Sequence, residues 1–488
     1  ITKLFGSYGA NCKLDSFNSE MKFFAKMSIL DWCAVAYAGK KEPVSKIVAE
    51  MVMEEAGINQ ARVISTGQKV SSRGAALANG ATGHALDYDD THFLFVGHPT
   101  SSALPTALAL GEELGSSVED VFLAYMAGVE VSTRIGHILG YSHYNAGFHQ
   151  TATSGSFGST IVASKLLNLN EEQTINALGL VSTRASGIKS QFGTMGKPYH
   201  AGMAASNGIE AAKLSKLGFV SRQDGIECEQ GFFKTHGWNN EIPPRAIENL
   251  GTEFLFPEIK YKFHACCHGL HSFLEALDEL KLSNNFNPET IEEIKIETNP
   301  SWLQVCNIEK PKTGLESKFS YKLTAAMSIY GNDTSDLDTY NDTICFEDKM
   351  VDMRDKVKVI PNDKLTNTQS IISIKDGLQD IKNTHDLSDE IQKSTLETKI
   401  VNKSVSLLSK SKSEKILDIL DNPKNMFMEF VPEDYDEYTV DVYYDKFGIL
   451  KSLVPRLRIE TRAGEISKGL TSKGVVYDYL KDKLRNLK

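Results

Sequence analysis

The sequence predicts a mainly α protein, in which a large all-helical domain is joined to a smaller α+β domain. Between Phe17 and Lys216 the chain is rich in Ala, Gly, Ser and Leu. Its apolar residues there recur at steps of three and four, the period of a helix buried against other helices. After about Lys260 a two-residue alternation enters: Ile294, Ile296 and Thr298 in one segment, Ile372 and Ile374 just before Asp376-Gly377 in another. The 488 residues allow about two to four domains and a large core.

Taken in order, Phe23, Met27, Leu30, Ala34 and Tyr37 line one face of the first long helix, with Gly39 available as its left-handed terminator. A second helix is expected from Val118 to Leu139, opened by a Ser116/Glu119 capping box, and Asn170 with Gln173 repeats that signal. A further helix is expected from Ser159 to Leu167. In the mixed region, His268 to Leu280 and Phe319 to Tyr330 read as helices between short strands. Leu387 to Leu420 reads as a charged helix pair returning to the first domain. Alternation resumes at Tyr438 to Tyr444 and Arg456 to Ser467, before a last amphipathic helix at Val475 to Leu484. The expected division is residues 1–260 and 395–430 for the helical domain, 261–394 for the α+β domain, and 431–488 for an extension.

Composition narrows the function. The net charge is -10, without a Lys/Arg stripe, which argues against nucleic acid as a partner. No apolar run is long enough to span a bilayer. Seven cysteines, with only Cys266 and Cys267 adjacent and no C-x-x-C, suggest neither a zinc ribbon nor a disulfide ladder. The start, Ile1 to Asn18, lacks a secretory pattern, and a cytoplasmic protein acting on a small molecule is expected.

Eleven of the twelve histidines precede Ser272 and fall in short clusters. In Gly83-His84-Ala85-Leu86-Asp87-Tyr88-Asp89-Asp90-Thr91-His92, three carboxylates within four residues need cations, hydrogen bonds or a raised pKa to coexist. A solvated loop with Asp caps is the competing reading. Gly97-His98-Pro99 follows closely. Ala146-Gly147-Phe148-His149 places an imidazole near a helix start, where the dipole opposes its protonation and favours an anion, although a lone structural histidine would look the same. In Gly193-Thr194-Met195-Gly196-Lys197-Pro198-Tyr199-His200, a lysine held between Gly and Pro can anchor a carboxylate or carry a proton; an exposed loop lysine is the alternative. In Lys262-Phe263-His264-Ala265-Cys266-Cys267-His268-Gly269-Leu270-His271, three histidines would share a helix face as a metal triad. Gly269 and the absence of H-E-x-x-H favour a junction loop at an active site, with the paired thiols as packing residues.

Together these segments, with Lys318-Phe319-Ser320, resemble the MmgE/PrpD family of 2-methylcitrate dehydratases, cis-aconitate decarboxylases and iminodisuccinate epimerases, over about Phe24 to Asn422. The resemblance implies a helical domain plus an α+β lid domain, a homodimer, and an active site between domains that uses neither metal nor organic cofactor. Carried over by position, it implies Asp87, His98, His149, Lys197 and His268 as catalytic residues, with His268 chosen over His264 and His271. Thr91, His200, Lys262, His271 and Tyr321 are implied as substrate-binding residues. Relatives place a Tyr where this chain has Leu323, and Tyr321 is the nearest substitute.

The chemistry of such a site is that of a carbanion next to a carboxylate. Lys197 with protonated His98 or His149 would stabilise it, Asp87 would keep one of these groups charged, and Thr91 would hydrogen-bond the substrate. The expectation is a cofactor-independent lyase for a small di- or tricarboxylate, with dehydration slightly ahead of decarboxylation. A dicarboxylate epimerase, an inactive helical binding protein, and a metal hydrolase built on Asp87, Asp89, Asp90 and the later histidines are the alternatives. The lyase reading requires Lys197 and His149 to face one cleft.

Overall fold

The computed structural model describes residues 1–421 apart from 56, 285–286, 378 and 389–392, together with the strands at 438–444 and 450–457. The chain forms two units, residues 1–428 and 429–488. The first opens with helices α1 (Thr2–Asn11), α2 (Ser19–Gly39) and α3 (Pro43–Glu54), then a short ladder of β1 (Ala61–Arg62) and β2 (Lys69–Val70). Next come α4 (Ser72–Gly83), α5 (Thr100–Leu114), α6 (Val118–Asn145), α7 (Thr153–Leu166), α8 (Glu171–Val181) and α9 (Gly196–Lys216), followed by the single turns α10 (Phe232–Thr235) and α11 (Pro244–Ile247). Among the described residues, no helix is long and apolar enough to cross a membrane.

Helix starts and stops follow local chemistry, with three departures from expectation. Gly39 is not left-handed; a Cβ there would meet the Thr82 carbonyl oxygen at 2.5 Å, so the glycine serves the approach of α2 to α4. The capping box of α6 is Ser117/Asp120, one residue beyond the expected pair. Ser116 is spent on the end of α5, where left-handed Gly115 lets the Ser116 N–H reach the Gly111 carbonyl at 3.0 Å. Helix α7 starts at Thr153 rather than Ser159, and its hydroxyls are satisfied within it, Ser156 donating to the Ala152 carbonyl and Thr160 to the Ser156 carbonyl, both at 2.8 Å. The Asn170/Gln173 box of α8 stands as expected.

Small residues bring these helices unusually close. A Cβ on Gly80 of α4 would sit 2.6 Å from the Gly202 Cα of α9. A Cβ on Gly202 would in turn strike the Leu77 carbonyl oxygen, so the two backbones touch without intervening side chains. This contact lies four residues before His84 and five after Lys197, so it draws two sequence-distant clusters together.

The mixed region contains α12 (His271–Ser283), the one-turn helices α13 (Pro300–Leu303) and α14 (Gly314–Ser317), α15 (Tyr321–Ile329) and α16 (Asp348–Asp355). Its strands β3 (Ile291–Thr298), β4 (Val357–Pro361), β5 (Gln369–Asp376) and β6 (Gln379–Asp386) form a sheet in the order β4-β3-β5-β6. The β3–β4 pair is parallel and the others antiparallel, with Gly377 left-handed in the β5–β6 turn. Ile294, Ile296, Ile372 and Ile374 pack under Phe273, Leu274 and Leu277 of α12. Tyr88 and Val35, from the helical region, belong to the same apolar cluster. Helices α17 (Lys393–Leu408) and α18 (Lys410–Asp421) then return along α2, separated by Ser409 at a φ of 116°.

The second unit contains β7 (Tyr438–Tyr444) paired antiparallel with β8 (Leu450–Leu457). The second expected strand begins earlier than Arg456; its remainder to Ser467 and the expected helix Val475 to Leu484 lie outside the described residues.

Candidate functional site

Helix α4 ends at Gly83, and a turn closed by the Asp87 N–H on the His84 carbonyl (3.2 Å) leads into Asp87, which adopts a left-handed φ of 51°. Thr91 exchanges backbone bonds of 2.8 and 2.7 Å with Lys260, which brings the 260–268 segment alongside. The Thr151 hydroxyl accepts the His98 N–H at 3.0 Å. Four stretches of chain thus converge on one place.

Asp87 is its hub. One carboxylate oxygen lies 2.7 Å from Lys197 Nζ; the other lies 3.0 Å from Lys262 Nζ and 3.3 Å from His98 Nε2. Lys262 also donates to the Asp87 carbonyl. Burial raises the Asp87 pKa, but Lys197, Lys262 and His98 together outweigh it and hold the carboxyl well below its ordinary range. Lys262, 1% exposed, is pulled down by burial yet pushed above its ordinary value overall by Asp87 and Asp89. Both remain charged at neutral pH.

Asp89 bridges two imidazoles, at 2.9 Å from His84 Nδ1 and 3.1 Å from His98 Nδ1, and accepts the Ser101 hydroxyl at 2.5 Å. Burial raises its pKa, and His84 and His98 bring it well below the usual range. Asp90 differs: burial pushes its pKa well up despite the Thr100 hydroxyl bond of 2.6 Å. Asp87 and Asp89 are thus stabilised as anions, while burial works against the charged form of Asp90. Asp90→Asn should cost at most ~1 kcal/mol, because burial already opposes the charge that the isostere removes, and should leave turnover near wild type. Asp89→Asn should depress turnover; paired urea melts and rate measurements on the two variants check the contrast.

Four imidazoles are pushed toward the neutral form. Burial, and then the nearby Lys197 charge, set His149 well below its ordinary pKa; burial and Lys262 do the same to His268. His98 and His200 are each lowered, chiefly by burial, to about 4. The expected protonated His98 or His149 is thus corrected for the unliganded protein, in which both rings are pushed toward the neutral form. His149 Nδ1 faces His200 Nδ1 at 3.0 Å, so one ring supplies the hydrogen and the other the lone pair. Phe192 lies edge-on to His149 at 5.0 Å and 5.3 Å from Lys197 Nζ, so His149 and Lys197 both approach one aromatic ring. The Thr91 hydroxyl is engaged by His268 Nδ1 at 2.5 Å, so it orients that ring.

Two expected residues lie apart. Tyr321 is fully buried, its hydroxyl donating to the Gly269 carbonyl at 2.7 Å and meeting the Thr298 hydroxyl at 3.1 Å. Ser320 caps α15 and turns the Tyr321 ring onto Phe273 in the core, so Tyr321 is corrected from a substrate contact to a support of the His268 turn. His271 stacks on His268 at 4.9 Å and faces the Cys266 carbonyl. The 264–271 segment is not a continuous helix, since a tight turn at His268–Leu270 precedes α12. All seven cysteines carry free thiols.

His84 and Asp89, absent from the expected site residues, stand at its centre; the density of His and Asp in the first cluster is the signal that marks them. His84, Asp87, Asp89 and His98 each place a ligand atom within 4.8 Å of the others, as a divalent cation would require. The cations that Asp87 faces are the two ammonium groups. Asp90 is no part of this set, contrary to the metal-hydrolase reading.

Residues 3–244 match the MmgE/PrpD N-terminal domain, and residues 264–421 the MmgE/PrpD C-terminal domain. The chain is similar to a cis-aconitate decarboxylase of Aspergillus terreus, 29% identical over 350 residues that cover 67% of this chain and 71% of that protein. It is also similar to the cis-aconitate decarboxylases of Homo sapiens and Mus musculus, 35% and 33% identical over 163 residues. Those stretches cover 32% of this chain, and 34% and 33% of the two relatives. With both domains present in order along one polypeptide, the chain belongs to the MmgE/PrpD family.

Proposed function

We propose that the protein is a lyase that decarboxylates a small unsaturated polycarboxylate, with the related dehydration of a hydroxy acid as its second reading. The observation that carries it is the meeting of two ammonium groups, Lys197 and Lys262, with neutral imidazoles around Asp87. The names of the relatives favour decarboxylation over the dehydration that the sequence placed slightly ahead. Asp87 and Asp89 offset the charges of Lys197 and Lys262, so an incoming carboxylate competes with Asp87 for the two ammonium groups, with the amide dipoles of the first turn of α9 in its favour at Lys197.

A bound carboxylate offsets the lysine charges that oppose protonation of His149, and that imidazole then takes up a proton. When the carbon–carbon bond to the departing carboxylate breaks, carbon dioxide leaves and the electron pair spreads into the remaining alkene and carboxylate. Lys197 and Lys262 stabilise that charge. His149 returns its proton to carbon and is reprotonated through His200 or water. In dehydration the same neutral imidazole removes the proton next to the carboxylate as hydroxide departs.

Incubation with cis-aconitate, 2-methylcitrate and iminodisuccinate tests the reading. Carbon dioxide release from the first supports it, alkene formation from the second without carbon dioxide moves it to dehydration, and solvent deuterium uptake by the third alone replaces it with epimerisation. Because His149 is neutral in the free protein and takes up a proton together with the substrate, kcat/KM for decarboxylation should fall as pH rises through the neutral range. A profile that stays level through neutral pH contradicts His149 as the proton donor.

A further inference from the structure

Lys403 of α17 is an ammonium buried to 4% side-chain exposure that the chemistry above does not use. Its Nζ lies 2.6 Å from Asp31 of α2, donates to the Tyr88 carbonyl at 2.8 Å, and sits 3.9 Å from the centre of the Tyr88 ring. Tyr88 separates the two anionic carboxylates of the site, and its hydroxyl meets the Phe263 and Ser335 carbonyls at 3.3 and 3.2 Å. The left-handed Asp87 immediately before it is a conformation that persists only when its surroundings enforce it. Tyr88 is therefore gripped at both ends, by the mixed region at its hydroxyl and by the returning helix at its carbonyl.

We infer that Lys403 is a positioning residue, which fixes the Asp87–Tyr88–Asp89 turn so that Asp87 meets Lys197 and Lys262 while Asp89 meets His84 and His98. The inference rests on the lyase reading for its kinetic consequence and on the geometry alone for its structural one. A buried ion pair contributes little net stability, and an apolar pair of similar volume would pack as well. What an apolar pair does not supply is a donor aimed at the carbonyl between two site carboxylates. The charged or titratable groups that act on Lys403 are Asp31 from α2, Tyr88 and Asp89 from the loop, and Lys262 from the adjoining segment.

The test compares Lys403→Met, Lys403→Arg and the double variant Asp31→Leu with Lys403→Met, which removes both buried charges at once. In the double variant the melting temperature should return toward wild type, while kcat stays lower by about tenfold or more and KM changes little, the size typical of losing a residue that orients a site group. Lys403→Arg should recover part of the loss. Recovery of kcat together with melting temperature in the double variant overturns the inference. Histidine-selective NMR of the unliganded protein gives a second readout: shifted titration of His84 and His98 in the double variant supports the role, and unchanged titration refutes it. Absence of turnover in the wild-type protein would overturn the lyase reading and leave the NMR comparison decisive for Lys403.

Discussion

Lys197→Met is expected to lower kcat/KM by roughly a hundred- to a thousandfold, the range seen when one preorganised group facing developing negative charge is removed. Its side chain is 14% exposed and pairs with Asp87 at 2.7 Å, so the ammonium is near enough to the surface to meet an incoming carboxylate and held firmly enough to be ready for it. Stability should change little, because Asp87 keeps Lys262 at 3.0 Å and near-surface pairs contribute about 0–1 kcal/mol. Lys197→Arg should retain charge but misplace it, and recover only part of the rate. Steady-state kinetics beside thermal melts decide the matter: a variant that loses its fold in step with its rate would make Lys197 a structural residue.

Asp87→Asn is expected to damage both stability and turnover. The amide keeps the volume but leaves Lys262, buried in the interior, without its nearest counter-charge, and breaking a buried pair from one side costs about 3–5 kcal/mol. The pH dependence has a definite sign. Folding lowers the Asp87 pKa, so the unfolded chain takes up the proton first. The stabilisation is complete above the unfolded value near 3.8 and is lost as pH falls through the folded one. Urea unfolding at neutral pH should separate wild type from variant widely, and the gap should narrow below about pH 4. A gap that stays constant into acid would remove Asp87 from this role.

Much of this arrangement was legible because its determinants are local. Helical periodicity marked α2 and α6, a side-chain box fixed the start of α8, and two-residue alternation exposed β3 and β5. Boundaries slipped where neighbouring elements compete for one residue, as Ser116 is claimed by the end of α5 before it can open α6. At the site, clusters rich in His, Lys and Asp announced themselves, but pairing within them did not. His84 reaches Asp89 only because Asp87 turns left-handed, which no spacing rule anticipates for an aspartate. Tyr321 was misplaced because nearness to Lys318-Phe319-Ser320 says nothing about the direction in which a helix-opening residue faces. Lys403 was invisible for a different reason: one lysine in a charged helix looks like any solvated lysine until Asp31, 372 positions away, is found beside it.

The touching backbones of Gly80 and Gly202 set a limit on how this catalyst can diversify. Any side chain wedged into that seam pushes apart the two helices whose ends carry His84 and Lys197, so the spacing of that imidazole and that ammonium group is tied to the seam itself. Reshaping for bulkier molecules would then fall to the sheet-bearing half, where residues can change size without prising the helices open. Laboratory evolution toward new substrates should accumulate its tolerated changes there and leave the glycine seam untouched.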